Sequence, residues 1–180
     1  MGAIKPVQPA KLFFGLLAAS DQLLDEAKAR LAYDFSEIER VSAIIPFDLT
    51  DYYAPEMGGN LLRQWVSVAE PVPPESLVAI KHYTNQLEGL WSSEGRRRVN
   101  IDPGYLNLSK VVLATTKDHS HRVYVGRGIY EEVTLAYRRG QGYVAWPWTY
   151  PDYRSGAAHQ FFLEVRADLD SRYRRKTSSG

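Results

Sequence analysis

Leu12-Phe13-Phe14-Gly15-Leu16-Leu17 is an unbroken apolar run of strand length, closed by small residues and Ser20. That is the pattern of a strand covered on both faces. Ser20 predicts a helix start, since its hydroxyl can accept from a free first-turn amide, and Asp21 and Asp25 suit the positive helix end. Leu24, Ala27, Leu31 and Phe35 then recur at spacings of three and four, an amphipathic helix that packs on a sheet. A second strand is expected over Val41 to Phe47. The polar segment from Asp48 to Asn60, with Pro55 and Gly58-Gly59, is expected as a long loop.

Arg63 to Val68 predicts a third strand. Pro71, Pro73 and Pro74 stop it and open a helix whose stripe is Leu77, Ile80, Thr84, Leu87 and Trp91. Gly95 and Arg96, Arg97 and Arg98 suit the end of that helix. Val99 to Ile101 enters a fourth strand, so the order is strand, helix, strand, strand, helix, strand, which is the ferredoxin-like order. Beyond Pro103-Gly104, strands at Lys110 to Thr116, His121 to Val125, Glu132 to Arg138 and Tyr143 to Trp146 predict an antiparallel meander. Ala158, Phe161, Phe162, Val165, Leu169 and Tyr173 mark one face of a closing helix, and residues 174–180 read as a tail. The expectation is one α+β domain over 1–180 with an ordered core at 10–173.

Composition narrows the chemistry. The 180 residues are 44% hydrophobic and 12% aromatic, enough for a core. The balance of 22 lysines and arginines against 21 acids leaves a charge of +1, which gives no global attraction to nucleic acid or membrane. The absence of cysteine removes disulfides, thiol catalysis and thiolate metal sites, and is compatible with a reducing cytoplasm. The apolar run Leu12 to Ala19 is too short to span a bilayer.

Several phrases are familiar in combination: Pro46-Phe47-Asp48 with Thr50-Asp51-Tyr52-Tyr53, Thr84-Asn85-Gln86-Leu87-Glu88, Val99-Asn100-Ile101-Asp102-Pro103-Gly104-Tyr105-Leu106, and Pro147-Trp148-Thr149-Tyr150-Pro151-Asp152-Tyr153. With them the chain, over roughly Ala10 to Val165, resembles an uncharacterised prokaryotic family known only as a domain of unknown function, some members of which are labelled GTP-binding proteins. The resemblance implies a bacterial cytoplasmic protein and brings no catalytic residue with it. The sequence has no P-loop, which needs two spaced glycines followed by Lys and Ser or Thr. It has no guanine-reading Asn-Lys-x-Asp either, and Gly126-Arg127-Gly128 is a turn pair.

Four clusters carry candidate chemistry. Lys117 and Arg122 suit an anion, and His119 and His121 a proton transfer or the start of a metal site, although two histidines alone designate no metal. Asp102 is either a sheet-end carboxylate with a catalytic role or the residue that closes an Asp turn. Asp48, Asp51 and Glu56 with Tyr52 and Tyr53 form an acidic, phenolic loop whose carboxylates either serve as acid and base or hold magnesium, or are explained by a helix cap or a solvated loop. Trp148 and Tyr150, with Trp146, Tyr153 and Asp152, either wrap the core or offer a stacking wall. The composite expectation is a cleft in which Lys117 and Arg122 hold an anion and Trp148 and Tyr150 stack on a ring. There His119 or His121 moves a proton, oriented by Asp102 or Asp152. The ligand class is a small anionic ring compound, such as a nucleotide or phosphorylated metabolite. The alternatives are an RNA-binding module or a protein-interaction domain. No particular cofactor or oligomeric state is indicated.

Overall fold

The computed structural model describes residues 2–48, 54–93 and 95–178. Asp51, Tyr52 and Tyr53 of the acidic loop, and the end of the chain beyond 178, lie outside them.

The first strand, β1 (Lys11–Ala18), is wholly buried, as its apolar run predicts. Helix α1 (Asp21–Asp34) starts at Ser20, whose Oγ accepts from the Leu23 amide at 3.3 Å. The expected second strand is two short ones, β2 (Ile38–Val41) and β3 (Ile45–Phe47), both paired with β4 (Leu61–Val68). The segment between β3 and β4 holds one helical turn, α2 (Ala54–Met57), where the sequence predicts loop alone. Helix α3 (Leu77–Glu88) gives way to a 3-10 turn at Gly89–Trp91, short of Gly95. Arg97 is drawn instead into a small ribbon of β5 (Ser92–Ser93) and β6 (Arg96–Arg97), from which it pairs with Glu56 and Glu88.

The fourth predicted strand is longer than its apolar start. β7 (Val99–Leu106) runs straight through Asp102-Pro103-Gly104, so Asp102 lies mid-strand opposite Gly15 and does not close a turn. Gly104 makes this possible: a Cβ there would overlap the Phe13 ring and lie 2.5 Å from the Val112 carbonyl oxygen. β8 (Lys110–Thr115) pairs with β7 only at Gly104–Leu106, after which the two strands part. Pro103, which has no amide hydrogen for a ladder, stands at this fork.

The remaining strands, β9 (Val123–Gly126), β10 (Ile129–Arg138) and β11 (Gly142–Ala145), do not form a simple meander. β10 lies against β8, and β9 and β11 pair with β10. The reason is apolar content: β10 inserts buried Ile129 and Leu135, whereas Val123 and Tyr124 of β9 are exposed. Residues 116–122 must therefore pass across β10 to reach β9. The sheet path is β11-β10-β8-β7-β1-β4-β2. The fold is thus α+β, with a large antiparallel sheet.

Alternation along β1 divides the core. Leu12, Phe14, Leu16 and Ala18 pack with α1 and α3. Phe13 packs on the other face with Trp65, Tyr153 and the last helix, α4 (Gly156–Ser178), through Phe161, Phe162, Val165 and Leu169. α4 continues past Arg174 to Ser178, so the region read as a tail is helical to that point. Among the described residues no helix is long and apolar enough to cross a membrane.

Candidate functional site

The fork between β7 and β8 opens into a cavity of about 1020 Å³. Its walls come from β4, α3, β7, β8, the 117–122 crossing and the segment before α4. Asp102, Lys117, His119, Arg122, Tyr150 and Asp152, six of the eight residues of the composite cleft expected from the sequence, line it together. Trp148 and His121 do not line it. Trp148 donates Nε1–H to the Val133 carbonyl at 3.1 Å and lies at the rim in a parallel run of rings, His119, His121, Trp148 and Trp146, with centroids 5.3 to 5.9 Å apart.

The inner wall carries charges in pairs. Lys81 Nζ lies 3.3 Å from Asp102 Oδ1, and Asp102 Oδ2 accepts from Asn100 Nδ2 at 2.7 Å. Arg63 Nε lies 2.8 Å from Asp152 Oδ2, with both side chains at most 4% exposed. Their contact is an ion pair by distance, without the alignment of a hydrogen bond. Arg97 donates to Glu88 at 2.6 Å, to Asn100 at 3.1 Å and to both oxygens of Glu56. Glu88 also accepts the Ile101 amide, which ties α3 to β7. Arg122 donates to Glu132 at 2.7 Å, to the Lys117 carbonyl at 3.0 Å and to the Tyr150 hydroxyl at 2.8 Å.

These partners revise the roles read from the sequence. Arg122 is committed to Glu132, Tyr150 and the loop backbone, so it shapes the rim more than it receives an anion. Asp102 and Asp152 face Lys81 and Arg63, while His121 Nε2 lies 3.1 Å from Glu132. Burial would push the Asp102 carboxyl up, but the charges of Lys81 and Arg63 outweigh it and hold it below the ordinary carboxylate range. Asp152 goes the other way: burial raises it and Arg63 only partly offsets this. Two carboxylates in one cavity are thus pushed apart in acidity, the condition under which one stays a base and the other accepts a proton.

Gly15 makes the space for the deepest polar cluster. A Cβ there would lie 2.8 Å from Tyr153 Oη, 3.2 Å from Arg63 Nη1 and 3.5 Å from Trp65 Nε1. Lys81, Glu88, Arg63, Asn100 and Glu132 were not among the site candidates read from the sequence. Lys81, Thr84 and Glu88 nonetheless fall at helical spacing within the buried stripe of α3, and Asn100 and Asp102 alternate along β7. Charged groups placed on a core-facing stripe are the readable signal.

A family profile, Domain of unknown function (DUF4416), matches residues 8–169. The chain belongs to that family. No curated protein and no solved structure matches it.

Proposed function

We propose that the protein binds a small anionic ligand carrying a ring, such as a nucleotide or phosphorylated metabolite, in the cavity at the β7–β8 fork. One observation carries this reading: a concavity of ligand size, about 1020 Å³, on which buried Lys81 and Arg63 converge with exposed Lys117, His119 and Tyr150. Any turnover there would draw on Lys81 and Asp102, the charged pair in contact on the inner wall. A ferredoxin-like ancestry for the first half belongs to the same proposal, supported by the path β7-β1-β4-β2, which places the fourth, first, third and second strands side by side. A cytoplasmic setting also belongs to it, supported by the cysteine-free composition.

The RNA-binding alternative has less support. An RNA module of this strand order stacks bases on the sheet face away from its two helices. Here α4 covers that face with Phe161, Phe162 and Val165.

The test is a thermal melt against nucleotides and phosphorylated metabolites. A ligand at 100 times its Kd adds about 2.7 kcal/mol, which raises Tm by roughly 5–10 °C in a chain of this size. A panel without any rise overturns the reading.

A further inference from the structure

Four rings lie nearly parallel at the cavity rim, and one end of their run opens into the cavity. His119, His121, Trp148 and Trp146 follow one another at centroid distances of 5.3 to 5.9 Å and interplanar angles of 6 to 13°. Each contact is an offset stack. His121 and Trp148 are the inner rungs, each with two ring neighbours, and have little face left for a further ring. Of the two end rungs, Trp146 does not line the cavity and His119 does.

On the reading that this cavity binds an anionic ring compound, we propose that the ligand's planar ring stacks on His119 and adds a fifth rung to the run. His119 is exposed, and His121 is its one ring neighbour among the described residues. The sequence points to Trp148 and Tyr150 as the stacking wall and to His119 as a proton carrier. The order of the rings moves the stacking role to His119, because Trp148 lies inside the run between His121 and Trp146. Tyr150 stays on the cavity wall, with its hydroxyl held by Arg122.

The platform is fixed before a ligand arrives. The His119 carbonyl accepts from the Arg122 amide at 2.9 Å, and the Arg122 side chain is sealed against Glu132. His121 Nε2 lies 3.1 Å from the same carboxylate, and Trp148 is anchored through Nε1–H to the Val133 carbonyl. A wall already in place lowers the ordering cost of binding. Every base has a π face, so such a wall requires a planar ring and discriminates little between one base and another.

The experiment is calorimetric titration of the full chain with the four ribonucleoside 5′-monophosphates and with ribose 5-phosphate, which keeps the phosphate and lacks the base. The nucleotides should bind within about fivefold of one another and at least about fivefold more tightly than ribose 5-phosphate. His119→Ala, shown by its melt to be folded, should remove that advantage. It should weaken each nucleotide at least about fivefold and change ribose 5-phosphate by less than about twofold. His119→Phe keeps a flat ring and removes the ring nitrogens, and should hold the nucleotides within about threefold of the unaltered chain. Phenylalanine failing as badly as alanine would assign His119 to hydrogen bonding, charge or proton transfer and overturn the stacking role. Ribose 5-phosphate binding the unaltered chain as tightly as the nucleotides would overturn it too. Either result leaves the cavity's anion-binding role standing, whereas silence of every compound removes both.

Discussion

Arg122 Nε lies 2.7 Å from Glu132 Oε2, with both side chains no more than 2% exposed, so a complete ion pair is sealed between the 117–122 crossing and β10. Glu132 also accepts from Thr134 Oγ1 and contacts His121 Nε2, and Arg122 reaches on to Tyr150 and the Lys117 backbone. One carboxylate thereby ties together two segments that form the cavity mouth. Removing it strands a buried guanidinium. Glu132→Ala should cost about 3–5 kcal/mol in urea unfolding, whereas the double change of Arg122 and Glu132 to Met should cost clearly less, because no charge is left unpaired. Equal losses from the single and double variants would refute this account.

Gly104 and Gly15 sit on adjacent central strands but differ in what a methyl group would strike. At Gly104 it meets backbone, the Val112 carbonyl, in addition to the Phe13 ring; at Gly15 the nearest atom is a side-chain hydroxyl, Tyr153 Oη. Backbone at the fork can yield only by moving β8. Gly104→Ala should lower Tm by roughly 5–10 °C, the effect of overpacking by a few kcal/mol. Gly15→Ala should lower it less while reducing ligand response, since it displaces the Arg63 and Tyr153 cluster. A harmless Gly104→Ala would show that the fork is not fixed by this contact.

These glycines also show what was and was not legible in the chain. β1, the Ser20 cap and the stripe of α4 are local patterns, and periodicity alone yields them. Pro103-Gly104 looks like a break because proline and glycine are poor strand residues, and only contact with Phe13 and Val112 makes glycine the residue that fits. Residue type was likewise enough to pick out Asp102, Lys117, Arg122 and Tyr150 as candidates. Their partners Lys81, Glu132 and Arg63 were not legible, because they depend on β10 lying between β8 and β9 and on the fork, which no local pattern encodes.

Asp102 and His159 tilt stability with pH in different windows. Asp102 is held below its ordinary value despite burial, so its contribution is complete above about pH 4 and is lost as pH falls through its lower folded value. His159 is pushed below its ordinary value by burial, and its Nε2 is buried with no hydrogen-bond partner among the described residues. The unfolded chain takes that proton first, so stability falls as pH drops below about 6.5. Urea midpoints from pH 3 to 8 should show both slopes. Asp102→Asn should flatten the lower one and His159→Gln the upper one. A profile unchanged by His159→Gln would exclude the histidine as its source.

Arg154 gives the segment before α4 its shape. Its guanidinium donates to the carbonyls of Thr149, Trp146 and Pro147 at 2.9 to 3.0 Å, gathering a turn that carries Trp148 and Tyr150 to the rim. The side chain is exposed, so water replaces these bonds when it is lost, and the global cost should stay near 1 kcal/mol. The local effect should be larger. Cleavage of a transiently opened loop follows the population of the open form, and a local loss of 1–2 kcal/mol raises that population about 5–30-fold. Arg154→Ala should therefore speed chymotryptic cutting after Trp148 several-fold while Tm falls by no more than about 4 °C. Arg154→Lys should behave nearly like alanine, because a single ammonium cannot reproduce the planar fork that reaches three carbonyls. Cutting at the wild-type rate, or full rescue by lysine, would mean that the turn is held by Thr149, whose Oγ1 accepts from the Trp146 amide and donates to the Thr134 carbonyl, and not by the arginine.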